Sequence, residues 1–254
     1  MIEGDDLSID DAVRQSGAGP RDRRKFSGPV QTFTGPQHRC AIFHAHLHAV
    51  PVELDLMSPA GARFEARPLT GHTWADLECL FDLPGGSIVR GCWCMYFRRS
   101  GSSSKGEFES VGAERKHALG DLVDGGVVPG LIGYLDGAPA GWISLGPREG
   151  YAKLRRSQIM KPVDDTACWS VICTYVPRQY RGQGLQHKLL AAAIDYARAS
   201  GATVLESYPV DQQGKVDPNG LFFGSRELYA RAGFTEVVRR SPTRLVMRLT
   251  LSPP

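Results

Sequence analysis

The chain has 254 residues, enough for one large domain or a domain with an extension. Apolar residues make up 42% and charged residues 22%, and 30 basic against 27 acidic side chains leave a net charge of +3, too mild for a nucleic-acid partner. Every apolar stretch is broken by charge or glycine before about 18 residues, which argues against a membrane partner, and the acidic opening Met1-Ile2-Glu3-Gly4-Asp5-Asp6 is unlike a secretory signal, so the expected location is cytoplasmic.

Residues 1–56 carry no sustained periodicity and are expected to form an extension outside the core, with 57–254 as the domain and Met57 as a candidate natural start. His44, His46 and His48 alternate near Cys40, but a metal-binding strand face there would need a sheet to belong to, so no metal is expected. The six cysteines form no CxxC pair, and reduced thiols are the expectation. From Phe64 the pattern is that of an α/β domain. Phe64 to Leu69 alternates as a strand, Thr73 caps a helix towards Phe81, and Cys92 to Phe97 is expected to be extended. Glu107 to Val123 has helical spacing and stops at Gly125-Gly126. Leu131–Leu135 and Gly141–Leu145 flank Asp136-Gly137-Ala138-Pro139 as a hairpin. Trp169 to Val176 reads as a central strand, and a helix with a stripe from Leu185 to Ala197 ends at Gly201. Thr203 to Val210 is the next strand, 211–219 a polar loop, and Leu221 to Ala232 a helix stopped by Gly233. Phe234–Val238 and Leu245–Leu251 close as an antiparallel pair.

The chemistry concentrates in Pro177-Arg178-Gln179-Tyr180-Arg181-Gly182-Gln183-Gly184-Leu185, between strand and helix. Glycines two apart let backbone approach a ligand, and the N–H groups opening the next helix suit a pyrophosphate. A tight strand-to-helix connection is the plain alternative. A P-loop would need lysine and Ser or Thr after the second glycine, where Leu185 and Gln186 stand. A dinucleotide fingerprint would need a third glycine, which is missing.

Gln179-Tyr180-Arg181-Gly182-Gln183-Gly184 matches the Q/R-x-x-G-x-G/A motif, and Leu228-Tyr229-Ala230-Arg231-Ala232-Gly233-Phe234 matches an L-Y-x-x-x-G-F ending. With the intervening elements in order, the chain resembles the GCN5-related N-acetyltransferase superfamily, most specifically from Trp169 to Phe234. The resemblance implies an α/β (α+β) fold, a central mixed, mostly antiparallel sheet flanked by helices, with acetyl-CoA as co-substrate and no metal.

The same resemblance implies roles for individual residues. Arg181, Gly182, Gln183, Gly184 and Leu185 hold the pyrophosphate of coenzyme A, and the backbone of Thr174, Tyr175 and Val176 takes the pantetheine arm. Tyr229 stands at the general-acid position, with a core aromatic as the other reading. Many members carry asparagine seven residues before that tyrosine; here it is Phe222. Glu206, a carboxylate within an apolar strand, stands either as general base or as a polar sheet residue bound to neighbouring hydroxyls. Asp211 is the weaker base candidate. Cys92 to Arg98, Trp142 and Arg148-Glu149 could border an acceptor pocket or serve the core. The implied reaction is direct acetyl transfer to a primary amine, of a small molecule or of a protein, by a monomer or homodimer. A non-catalytic acyl-CoA sensor is the alternative from another class.

Overall fold

The computed structural model describes residues 56–57, 62–99, 108–211 and 222–252. The histidine cluster, Cys40 and nearly all of the polar loop lie outside them. Eight strands form one sheet in the order β1-β2-β3-β4-β5-β6-β8-β7. These are β1 (Leu56–Met57), β2 (Arg63–Pro68), β3 (Gly130–Leu135), β4 (Ala138–Pro147), β5 (Trp169–Tyr175), β6 (Val204–Ser207), β7 (Thr235–Ser241) and β8 (Arg244–Thr250). All neighbours are antiparallel except β5 and β6. A parallel pair needs a crossover, and helix α5 (Leu185–Ala199) supplies it. The mixed, mostly antiparallel sheet flanked by helices is therefore present.

The strands differ in burial as their positions demand. β3 is buried at all six residues because helices cover both faces, whereas β7, at the sheet edge, is largely exposed. The β3–β4 hairpin turns at Asp136 and Gly137, whose φ angles of +48° and +80° match a two-residue turn of the primed type.

On one face, Leu185, Leu189, Ala193 and Ala197 of α5 pack against Phe64, Leu131, Ile143 and Val171. The other face is covered by α1 (Trp74–Asp82), α2 (Ser87–Cys92) and α3 (Phe108–Asp124), which bury Leu77, Phe81, Val89 and Leu119 over Ile132, Trp142, Cys173 and Tyr175. A third cluster joins Tyr151 and Leu154, at the start of α4 (Ala152–Arg156), to Ile172, Tyr208 and Phe223.

A bulge in β5 changes which face its residues meet. Ser144 pairs with Cys173 and Leu145 with Val171, leaving Ile172 as the extra residue. Val171 thus packs under α5, while Cys173, two residues on, faces the α1 layer.

Three expectations change. Cys92 to Phe97 is not a strand: α2 ends at Cys92, and Trp93 and Cys94 take φ of +46° and +52°. Trp93, Cys94 and Met95 are all buried, which a strand covered on one face cannot arrange for consecutive residues. Trp93 stacks on Trp74 and tilts against Phe81, with ring centroids 5.9 and 5.2 Å apart. The helix before Gly233 is shorter than expected: α6 spans Arg226–Arg231, because Gly224 turns the chain at φ +77° and Ser225 caps it, its Oγ accepting from Leu228 N at 3.3 Å. Among the described cysteines, Cys92, Cys94, Cys168 and Cys173 are free, but Cys79 is disulfide-bonded.

Candidate functional site

β5 and β6 pair only over Trp169–Val171 and Leu205–Ser207. Beyond that point Thr174 bonds instead to the carbonyl of Phe222, through its N–H at 2.7 Å and its hydroxyl at 3.3 Å. A cleft of about 360 Å³ opens at the C-terminal end of β5, bounded by Thr174–Val176, the glycine turn and first residues of α5, Phe222, and Gly85, Ile88 and Val89 of the α1–α2 layer.

The glycine turn shapes one wall. Gly182 and Gly184 take φ of +77° and +73°, a region that side-chain-bearing residues seldom occupy, and a Cβ at either would enter open space. The opening residues of α5, Leu185, Gln186 and His187, lie on this wall, where a helix presents its first N–H groups, and that of His187 donates to Gly184 O at 3.0 Å. Arg181 braces the turn: its Nε donates to the Val176 carbonyl at 3.1 Å. Of the residues expected to hold the cofactor, Thr174, Tyr175, Val176, Arg181, Gly182, Gly184 and Leu185 line the cleft. Gln183 does not line it; its side-chain amide folds back to donate to Gln179 O at 3.4 Å.

The N–H of Thr174, expected to be free for the pantetheine arm, already donates to Phe222 O. Phe222 lines the cleft and holds Thr174 through its backbone carbonyl, a role that its side-chain type does not signal. Ile88, Val89 and His187 line the cleft without any signal in the sequence, since apolar residues of a short helix and a lone histidine carry no motif.

Tyr229 is fully buried on α6, and its hydroxyl has no hydrogen-bond partner. Its ring meets Phe234 edge-on at 5.1 Å. Gly224 is required beside it, since a Cβ there would fall 3.1 Å from Cε2 of Tyr229 and 2.9 Å from Cδ2 of Leu228. Burial first, and the nearby Cys173 second, push the phenol far above its usual pKa. The Tyr175 and Ser207 hydroxyls are likewise buried without a partner, and Tyr229 does not line the cleft.

Glu206 sits in the opposite environment. It is fully buried, and Arg148 Nη1 and Tyr208 Oη both donate to its Oε1, the latter at 2.5 Å, while Arg248 Nε donates to Oε2 at 2.8 Å. Tyr208 also bonds Ser170 at 2.9 Å, tying β6 to β5, and Arg248 reaches Asp164 at 2.7 Å. Of the two readings of Glu206, the geometry is that of the polar sheet residue bound to a neighbouring hydroxyl, with two guanidinium groups added, and Glu206 does not line the cleft. Arg148 belongs to this cluster. Asp211 pairs with Arg239 at 2.6 Å, and Trp142 is fully buried with its Nε1 donating to Cys94 Sγ at 3.2 Å.

A family model, the acetyltransferase (GNAT) family, matches residues 97–234, over half of the chain. The chain belongs to this family. The matched span runs from the α2–α3 connection through β5, the glycine turn, α5 and α6 to Phe234, so it contains both sequence motifs. Among solved structures, a GNAT-family acetyltransferase from Listeria monocytogenes is similar at 12% identity and a TM-score of 0.47, covering 77% of this chain and 99% of that one. A GNAT-family acetyltransferase from Streptococcus agalactiae is 13% identical with a TM-score of 0.45, covering 75% and 96%. A Salmonella typhimurium protein described as an acetyltransferase, solved with its cofactor acetyl-CoA, is 18% identical with a TM-score of 0.43, covering 74% and 94%. No curated protein sequence matches the chain. Among the described residues, no helix is long and apolar enough to cross a membrane.

Proposed function

We propose that this GNAT-family protein is an N-acetyltransferase that moves the acetyl group of acetyl-CoA directly to a primary amine, with a small molecule as the acceptor and the cytoplasm as its place of action. The observation that carries the reading is the meeting of the glycine turn, the first N–H groups of α5 and the end of β5 in one cleft. Coenzyme A fits the residues there. The open space above Gly182 and Gly184 accepts an anion against backbone, and the positive end of α5 favours a pyrophosphate.

Acetyl-CoA supplies the activated thioester. The chain's own part begins with the glycine turn, where Arg181 holds the loop to Val176. Thr174 is occupied by Phe222, so the reading assigns the backbone N–H of Val176, two residues along the same edge, to the arm of the cofactor. Tyr229 is the general acid. A phenol carries its proton at neutrality and can give it to the departing sulfur. Glu206 acts as a positioning residue: with Arg148, Arg248 and Tyr208 it anchors the point where β5 and β6 part. Solvent takes the proton of the attacking amine.

The test is calorimetric titration of acetyl-CoA into the full chain and into residues 57–254, followed by release of coenzyme A thiol across a panel of small amines and N-terminal peptides. Micromolar binding with amine-dependent thiol release supports the reading. Binding without turnover on any amine would make the protein an acyl-CoA sensor, and no binding would remove the cofactor assignment.

A further inference from the structure

The cleft passes around the end of β5 and touches both layers of helices. Its glycine-turn wall leads into α5, which packs on one face of the sheet, whereas Ile88 and Val89 belong to α2, in the layer on the other face. The phosphates of coenzyme A account for the first wall. The second has no part in the chemistry proposed so far.

This α2 wall is apolar. Ile88 is half-buried and Val89 is 2% exposed. Tyr175, from the end of β5, joins the cluster that holds Val89 and packs edge-on against Phe81, with ring centroids 5.8 Å apart. Among the described residues that line the cleft, none is an aspartate or a glutamate, and the basic ones, Arg181 and His187, both stand on the glycine-turn side. Asp82, at the end of α1, pairs with Arg90 at 3.3 Å and lies outside the lining. The other groups that the sequence offered for an acceptor pocket serve the core: Trp93, Cys94, Met95 and Trp142 are buried and do not line the cleft.

That composition decides which amines the wall can take. A polyamine or an amino sugar carries several ammonium groups, and each would lose water here with no carboxylate to replace it. A hydrocarbon or aromatic body gains by leaving water. Burial also favours the reaction. An amine attacks only as the free base, and an alkylamine with a pKa near 10 is neutral in only about one part in a thousand at pH 7. An apolar setting disfavours the ammonium form, so the wall itself eases loss of the proton. A lining without a carboxylate base is then no obstacle.

We infer that the α2 wall is the acceptor subsite, and that the acceptor is a monoamine with an apolar or aromatic body rather than a polyamine or an amino sugar. The inference rests on the acetyl-transfer reading above and narrows its substrate class.

Full-length protein in excess coenzyme A is titrated by calorimetry with 2-phenylethylamine and with spermidine. 2-Phenylethylamine should bind about tenfold more tightly or better, since it brings one charge and an apolar ring. Ile88→Ala should weaken it by about tenfold through lost apolar contact, with acetyl-CoA affinity unchanged. Ile88→Glu, which sets a carboxylate on the wall, should reverse the order of the two amines. Spermidine binding as tightly as 2-phenylethylamine in the wild type overturns the inference, as does binding of neither amine or an unchanged affinity in Ile88→Ala. A preference for hexanoyl-CoA over acetyl-CoA that Ile88→Ala abolishes would give the wall to the acyl chain and overturn it as well. The two readings fail separately. 2-Phenylethylamine bound as expected but without release of coenzyme A thiol removes acetyl transfer alone, whereas thiol release with spermidine and not with 2-phenylethylamine removes the apolar acceptor alone. The wild-type comparison decides the matter if a variant does not fold.

Discussion

Glu206 and Tyr229 are both fully buried polar residues outside the cleft lining, yet they are provided for in opposite ways. Around Glu206, two arginines, a tyrosine and, through it, Ser170 engage both carboxylate oxygens. Around Tyr229, the packing of Phe234, Gly224 and Leu228 fixes the ring while the hydroxyl meets no partner. The difference separates structure from chemistry. A buried charge whose partners are all internal stabilises a fold, and removing one partner leaves the rest uncompensated. A buried donor without a partner adds no stabilising bond to the fold, so its removal should leave stability near that of the parent.

Glu206→Gln puts the first half of this contrast to its hardest test. With Arg148 and Arg248 mostly buried at 10% and 12% exposure, loss of the charge should destabilise the protein by about 3–5 kcal/mol, read from urea denaturation. Unchanged stability with lost turnover would return Glu206 to the role of base. At the cleft, Gly182→Asp and Gly184→Asp should weaken acetyl-CoA binding by roughly 100-fold or more, through like charge and bulk against the pyrophosphate. A Cβ at either position meets no atom within 4 Å, but the positive φ should also cost each variant about 1–2 kcal/mol of stability, so affinity is read on protein whose circular dichroism is native. Normal affinity by calorimetry in either variant would break the pyrophosphate assignment.

Tyr229→Phe sharpens the other half. Turnover should fall by about 10²-fold, the usual scale for a general acid, while acetyl-CoA affinity and the thermal midpoint stay near wild type. A fall in stability matching the fall in rate would make the hydroxyl structural. The smallest effect concerns pH. Hydrogen bonds from Arg248 hold Asp164 well below the ordinary carboxylate range, and those from Arg239 hold Glu236 below it. A depressed folded-state pKa means that the contribution is complete above the unfolded carboxylate value and is lost as pH falls through the folded one. Thermal midpoints should therefore be flat from pH 7 to about 5 and decline below about pH 4. The decline should be smaller in Asp164→Asn. Because Asp164 is exposed on the surface, screening by 1 M salt should flatten the difference between the two.

Much of the core was readable because its signals are local. The leucine stripe of α5, the Asp136-Gly137 turn and the glycines at 182 and 184 each declare their conformation within a few residues. The motif ending at Phe234 obeys the same logic, with Gly233 at φ +89° turning the chain so that Phe234 meets Tyr229. The strand expected at Cys92–Phe97 fails for an equally physical reason. Aromatic and sulfur side chains favour strands in isolation, but here Trp74, Phe81 and Trp142 reward a compact turn that buries three consecutive residues.

The sequence by itself determined the order of elements, the glycine turn at the head of α5 and the family motifs, because turn chemistry and helical periodicity act over neighbours. Only the tertiary structure decided which buried polar groups are satisfied. Arg148 and Arg248 reach Glu206 from 58 and 42 positions away, and the carbonyl of Phe222 meets Thr174 across 48. One extra residue at Ile172 turned Cys173 to the face covered by α1 and α2. Whether a polar atom finds a partner depends on atoms that the fold brings together from distant positions, which no local pattern encodes.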